Sequence, residues 1–332
     1  MMNIGIDAHG GDTGTIEALK AVVALKDKSL DINYYLFGNE EEIIKGFEFL
    51  NYKINDKIKI IDAKEMISMN EHPVFALRTK PNSSIAQAGN YLKNNSIDAF
   101  ISAGSTGALV ALAQFYIKPI EGVDRPAVAV IIPTEKAPML LIDSGCNVDS
   151  KPEWLYQYAI LANIYYDIMF DVKKPTVGVL SVGAEENKGN ALSLATYKLI
   201  SENKNINFIG NVEARDVPYG ICNILISDGF AGNVLLKTYE GVASFLLKSI
   251  KNGIKENPIS MLGGLLIKPT LKKMLGKYDA TVYGGAPILG TNKLILKCHG
   301  NAKCVEYTHT INQAIDLISK NIIEVIKDKY EV

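Results

Sequence analysis

Asn207–Gly241 reads NFIGNVEARDVPYGICNILISDGFAGNVLLKTYEG. A short apolar strand at Phe208-Ile209 leads into a polar loop carrying Asn211, Glu213, Arg215 and Asp216. A second strand, Cys222 to Ile226, then ends in Ser227-Asp228-Gly229, and Ala231 opens a long apolar helix. Strand, glycine turn and helix in that order make the unit of an open α/β sheet. Ligands there sit beyond the carboxyl ends of strands, and a helix N-terminus offers free N–H groups to an anion. Asp228, Asn233 and Lys237 are therefore expected beside a bound ligand, although Asp228 also suits a helix cap.

The same unit recurs on both sides of this stretch. Asn3 to Asp7 reads as a first strand, followed by Ala8-His9-Gly10-Gly11-Asp12 and a helix from Thr15 to about Lys26. Ile32 to Phe37 and Lys57 to Ile61 read as strands, with Glu40 to Glu42 opening a helix between them; Met69 to Pro73 is a breaker. Ala99 to Ser102 is a strand that turns through Ala103-Gly104-Ser105-Thr106-Gly107 into a helix apolar on every face, hence buried. Ala127 to Ile132 and Met139 to Ile142 are strands, the second ending in Asp143-Ser144-Gly145-Cys146-Asn147, with Asp149 and Lys151 just beyond. Glu153 to Phe170 is a tyrosine-rich helix, Val177 to Ser181 a strand, and Gly183 to Asn190 a polar loop, GAEENKGN. The chain closes with Tyr283-Gly284-Gly285, a strand from Leu294 to Lys297, and a helix striped by Ile311, Ile315, Ile318, Ile322 and Ile326. Alternating strands and helices imply a mostly parallel sheet covered on both faces. No repeat or low-complexity linker divides residues 1–332, so one unit with two lobes around a shared cleft is expected.

The 35 basic and 36 acidic residues leave a formal charge of -1, so no global field favours nucleic acid. Cys146, Cys222, Cys298 and Cys304 match no zinc spacing and read as reduced, structural thiols. The start, MMNIGIDAHGGD, lacks the parts of a signal peptide, and no apolar run approaches the ~20 residues of a membrane span. A soluble, cytoplasmic protein is expected.

Five strand ends carry glycine or small polar residues before a helix: Gly10-Gly11, Gly104 to Gly107, Gly145 to Lys151, Gly183 to Asn190, and Asp228 to Asn233. Together they point to an anionic ligand. None fits the phosphate-binding P-loop, and the adjacent glycines after the first strand do not make a dinucleotide fingerprint. Arg78, Arg125 and Arg215 sit in loops, where a planar fork suits phosphate or carboxylate. Arg125 could instead pair locally with Asp124. His9 and His299 flank glycines at turns, and either could touch ligand. No serine-histidine-aspartate or cysteine-histidine order stands out, so a covalent intermediate is not indicated.

These motifs resemble the bacterial phosphate acyltransferases of phospholipid synthesis, the PlsX type, which move a fatty acyl group from acyl carrier protein to inorganic phosphate. The matching stretches run in order along the chain: Asp7 to Asp12, Ser102 to Ala108, Asp143 to Pro152, Glu185 to Asn190, Asn207 to Gly241, Tyr283 to Gly290, and His299-Gly300. His9 stands where that family usually has methionine, and Ser105 where it usually has asparagine. The resemblance implies a three-layer α/β/α sandwich similar to isocitrate and isopropylmalate dehydrogenase-like folds, a homodimer, and no metal or redox cofactor. It also implies work at the inner face of the membrane and a functional link to glycerol-3-phosphate acyltransferase.

The required chemistry is modest, because phosphate is already anionic. The enzyme must hold it near a thioester carbonyl, stabilise the oxyanion and protonate the leaving thiolate. Gly10, Gly11, Gly104, Ser105, Thr106, Asn147, Lys151, Asn190 and Lys237 are candidates to bind phosphate. Lys188, Asn233, Asp228 and His299 are candidates for the chemistry, with Asp228 or His299 handling the thiol proton. A phosphotransacetylase-like enzyme using coenzyme A thioesters is the alternative; a decarboxylating dehydrogenase would need an aspartate cluster with metal spacing. A non-catalytic peripheral membrane or regulatory protein would leave the loop motifs without a purpose.

Residues 254–277 interrupt the α/β alternation and are expected to protrude as a helical hairpin, with two short helical pieces around Gly263-Gly264 and Pro269. Their apolar tip, including Leu262, Leu265 and Leu266, is followed by Lys272 and Lys273. That order suits contact with a membrane surface, with acidic acyl carrier protein, or with a second subunit.

Overall fold

Apolar side chains buried on both faces of the early strands set the layers. The computed structural model describes residues 1–25, 31–68 and 70–330. The chain runs β1 (Met2–Asp7), α1 (Thr15–Ala24), β2 (Ile32–Gly38), α2 (Glu40–Phe49), β3 (Ile58–Asp62), α3 (Pro73–Thr79), α4 (Ser84–Lys93), β4 (Ala99–Ser102) and α5 (Thr106–Ala111). It continues through β5 (Ala127–Ile132), β6 (Met139–Ile142), α6 (Pro152–Phe170), β7 (Thr176–Ser181), α7 (Ala191–Glu202), β8 (Asn207–Glu213) and β9 (Ile224–Ile226). The last part is α8 (Gly229–Lys255), α9 (Pro258–Lys277), β10 (Ala286–Leu289), β11 (Leu294–Lys297), α10 (Cys304–Ser319) and α11 (Ile322–Lys329). The helix expected to reach Lys26 and the breaker at Met69 touch residues outside those described.

In β2, Tyr34 and Leu36 enter one core while Tyr35 and Phe37 enter another; in β11, Leu294 and Leu296 oppose Ile295 in the same way. Side chains alternate across a strand, so such runs require a helical layer on each face. One layer packs Leu19 of α1, Ile43 of α2, Tyr158 of α6, Ile200 of α7 and Ile311 of α10 against the sheet. The other uses Leu77 of α3, Leu92 of α4, Leu109 of α5 and, in a smaller cluster, Leu236 of α8. The expected mostly parallel α/β sheet with helices on both faces is what forms.

Among the described residues eleven strands lie in the order β3-β2-β1-β4-β11-β10-β5-β6-β9-β7-β8. The first five pair in parallel, and so do the last four. Between the two groups, β11–β10, β10–β5 and β5–β6 are antiparallel. Three reversals make the two parallel groups run in opposite directions. The register across β10 and β5 offsets the two groups, so that the end of β6 lies level with the end of β11 and the turns after β4, β11, β6 and β9 meet at one cavity.

Local departures from the sequence reading have physical causes. β8 takes in Asn211 and Glu213, which the sequence reading places in a loop; as an edge strand it tolerates polar residues. Cys222 precedes β9 yet is buried. The isoleucine stripe breaks between α10 and α11 at Asn321, whose φ of 50° an asparagine accepts. α9 is one continuous helix with Pro269 inside it. The carbonyl that Pro269 leaves without a donor belongs to Leu265, an exposed residue that water can reach. Gly264 allows α9 to lie against Ile254 of α8, where any Cβ would collide with that side chain.

Candidate functional site

Aspartate at a strand end is the device that shapes these turns. Asp7, fully buried, accepts from Gly10 N at 2.8 Å and His9 N at 3.1 Å through Oδ1, and from Ser102 Oγ at 2.6 Å through Oδ2. Ser102 Oγ in turn accepts from Gly104 N at 2.9 Å, which locks the β1 and β4 turns together. Asp143 at the end of β6 accepts from Gly145 N, Cys146 N and Asn147 N at 3.0, 2.8 and 2.7 Å. Burial pushes its carboxyl pKa upward, against the pull of those backbone donors. Asp228 accepts from Phe230 N at 2.9 Å and Ala231 N at 2.8 Å, capping α8. These N–H groups, which the sequence alone suggested would meet an anion, are already taken by carboxylates. Gly229 donates to Asn147 O at 2.8 Å, so the start of α8 sits on the β6 turn at a distance that excludes a Cβ.

A cavity of about 270 Å³ lies over the β5 face that carries Val128 and Val130. On one side are Thr106 after β4, with Lys297 and His299 at the end of β11. Opposite stand Gly145 after β6 and the Asn233 and Lys237 face of α8. Asn233 Nδ2 donates to Ser144 O at 3.1 Å, fixing the amide over the β6 turn. Lys237 pairs with Glu240 at 2.9 Å. His299 Nδ1 lies 2.9 Å from Glu306, a buried carboxylate, and Nε2 lies 3.4 Å from Glu240. Hydrogen bonds to Glu240 and then Glu306 push the His299 pKa up to about 9. The same contact with His299 holds the Glu240 carboxyl below its usual range. At neutral pH His299 is thus a cation with both ring nitrogens engaged, suited to electrostatic work rather than to shuttling a proton.

A second, more apolar cavity of about 450 Å³ lies on the other flank of α8. Val179, Leu192, Ile226, Phe230, Val234 and Leu235 line it, and Asn190 and Asp228 stand among its polar residues. Lys188 is exposed on the loop that leads to Asn190, and its ammonium has no ion-pair partner among the described residues.

The structure thus gathers Thr106, Asn233, Lys237 and His299 around the central cavity, with Gly104 and Ser105 on the adjoining turn. Gly10 and Gly11 form the neighbouring turn, where Asp12 N reaches Gly300 O at 2.6 Å. Asn147 is bound into the β6 turn by Pro126 O, Asp143 and Tyr158. Lys151 lies 5.7 Å from the centre of the Trp154 ring, which Arg125 also approaches at 5.4 Å. Arg125 therefore stacks on an indole instead of forming the local pair with Asp124. Sequence reasoning missed Glu240, Glu306 and Lys297. A lysine closing an apolar strand immediately before Cys298-His299-Gly300 is the one signal that could have found the last. Among the described residues, no group of three His, Cys, Asp or Glu is placed to hold a metal ion.

Comparison with known proteins decides the family. A family model described as "Fatty acid synthesis protein" matches residues 2–325. The phosphate acyltransferase of Clostridium botulinum is 44% identical over 331 residues, covering 99% of both chains. That of Clostridium beijerinckii is 42% identical over 331 residues with the same coverage. This chain belongs to the phosphate acyltransferase family. It is an acyltransferase, and phosphate is the group it acylates. Solved structures carry the fold further: a phosphotransacetylase from Streptococcus pyogenes superimposes with a TM-score of 0.61 at 17% identity, covering 96% of this chain and 94% of that one. A branched-chain phosphotransacylase from Enterococcus faecalis gives 0.60 at 12% identity, covering 96% and 99%.

Proposed function

We propose that phosphate binds in the central cavity and attacks a fatty acyl thioester carried by acyl carrier protein, giving an acyl phosphate. The observation that carries this reading is a cavity whose wall combines Lys237, His299⁺ and Lys297 with the Asn233 amide and the Thr106 hydroxyl. Such a set neutralises and orients a dianion and needs little acid-base help to make it a nucleophile. Asp228 and Asn233 are five residues apart on one helix end, about 8 Å along the axis. That is on the order of the span from a bound phosphate, through the carbonyl carbon, to a departing sulfur. Asn233 is assigned to the phosphate end in the central cavity, and Asp228, which borders the apolar cavity on the other flank of α8 and whose Oδ2 carries no hydrogen bond among the described residues, to the thiol proton of a donor whose acyl chain lies in that apolar cavity. Lys188 is assigned to the oxyanion.

The carrier protein is the favoured donor because exposed lysines such as Lys272 and Lys273 offer an acidic partner a complementary surface. A homodimer is supported by the exposed apolar residues along α8, including Phe230, Val234, Phe245 and Leu246, which a lone subunit leaves in water. Acyl phosphates are reactive anhydrides. A membrane-bound glycerol-3-phosphate acyltransferase at the inner face of the membrane is therefore the consumer that this reading implies, with the enzyme peripheral to that surface. The deciding experiment supplies palmitoyl carrier protein or palmitoyl coenzyme A, each with phosphate, and traps acyl phosphate with hydroxylamine. The reading requires faster turnover with the carrier protein; preference for coenzyme A would favour the phosphotransacetylase-like alternative.

A further inference from the structure

Of the three cations on the central cavity, two are spoken for by carboxylates. Lys237 meets Glu240, and His299 meets Glu240 and Glu306. Lys297 has no ion pair among the described residues. It is the last residue of β11, paired with Ser102 of β4 on one side and Ala286 of β10 on the other. Its ammonium is held by two backbone carbonyls, Ala103 O at 3.2 Å and Cys298 O. Carbonyls aim an ammonium without cancelling its charge. An ammonium has three N–H donors, so two carbonyls leave one unspent. Lys297 itself forms part of the cavity wall, as do Thr106, three residues beyond Ala103, and Asn233. Thr106 shows no hydrogen bond from its hydroxyl among the described residues.

We infer that Lys297 is the cation that contacts the phosphate acceptor directly, its free N–H donating to a phosphate oxygen while Ala103 O and Cys298 O hold it in place. The inference rests on the reading of the central cavity as the phosphate site and assigns that site its unpaired charge. Burial supports it, because it pushes the Lys297 pKa down, with the carboxylates of Glu306, Asp7 and Asp12 among the charges acting against that shift. A desolvated ammonium without a counter-ion is costly, and an incoming dianion removes the cost. The division of labour also follows from pairing. Glu240 and Glu306 fix Lys237 and His299 as wall, and Lys297 is left to bind.

The test uses the full-length protein and two variants, Lys297→Met and Lys297→Gln; glutamine keeps a donor for the carbonyls and removes the charge. Binding of inorganic phosphate is measured by calorimetry without acyl donor. KM for phosphate and for acyl carrier protein thioester is measured separately, alongside Tm. Loss of one charge-assisted hydrogen bond predicts a phosphate Kd and KM raised about 10- to 100-fold in both variants. The acyl-donor KM should stay within roughly twofold. If both variants bind phosphate as the wild type does, or if wild type binds none, the assignment is overturned. A fall in Tm and kcat with unchanged phosphate affinity would make Lys297 a brace between β11 and β4, and would overturn it too. A wild type that binds phosphate through Lys297 yet forms no acyl phosphate would refute the proposed reaction and leave this assignment standing.

Discussion

His299 carries charge at neutral pH because two carboxylates share its ring, and this gives the fold a pH dependence of definite sign. Its pKa of about 9 stands above the ordinary histidine value of about 6.5, so the folded state binds the proton more tightly than the unfolded chain. Stability from this group is fully present below pH ~6.5 and is lost as pH rises through about 9. The expected result is that wild-type Tm falls between pH 6.5 and 9 by more than that of His299→Gln, in melts run side by side in matched buffers. Parallel curves for the two proteins would remove the ion pair from the account. Lys188 carries the complementary prediction for rate. Its ammonium is exposed and unpaired among the described residues, so Lys188→Ala should leave Tm unchanged while kcat/KM for phosphate falls by at least ~100-fold, the scale of a lost oxyanion donor. Activity within a few-fold of wild type would take Lys188 out of the site. At this scale the sequence was legible where a residue type is rare at its position, as with His299 beside Gly300 and Asn233 in the first turns of α8. It was not legible for Glu306, which lies in a helix pattern and acts only because α10 folds back against the β11 turn.

The first turns of α8 present different residues to two cavities, Asn233 and Lys237 to the central one and Phe230 and Val234 to the apolar one. Its start is fixed twice, by the Asp228 cap and by Gly229 seated on Asn147 O. Asparagine keeps a cap, whereas alanine costs about 1 kcal/mol. Asp228→Asn should therefore melt with the wild type yet lose most turnover if Oδ2 handles the thiol proton, and Asp228→Ala should lose both stability and turnover. Normal turnover in the asparagine variant would leave Asp228 as a cap alone. Strand and helix identity were readable along most of the chain because β5 is a continuous apolar run, β2 and β4 are nearly so, and α2 opens on Asn39 with three glutamates. The direction of pairing was not. β10 is four residues long behind a glycine pair, and nothing in its composition marks the antiparallel reversals between the two groups of strands. The Gly183–Asn190 loop, after β7, lines the apolar cavity instead of the central one.

The whole molecule leaves one large feature outside the core. α9 has no buried residue, and Met261, Leu262, Leu265 and Leu266 are 55, 62, 65 and 75% exposed. Lys272 and Lys273 follow Leu265 and Leu266 by seven residues each, two helical turns along the same face, so the apolar tip grades into a cationic base. Among the described residues no helix is long and apolar enough to cross a membrane, and an apolar tip on this scale must be covered from outside. Insertion of leucines at the headgroup boundary with lysines against anionic lipid fits that order along the helix. Replacing Leu265 and Leu266 together by Glu places two charges where the tip would enter. That variant should lose co-sedimentation with vesicles of phosphatidylglycerol and phosphatidylethanolamine, while keeping its sedimentation coefficient and its turnover of soluble acyl carrier protein thioester. A shift to a lighter species would instead assign the hairpin to a subunit interface. A raised KM for the carrier protein alone would assign it to docking the donor. Unchanged vesicle binding would place any membrane contact elsewhere on the surface.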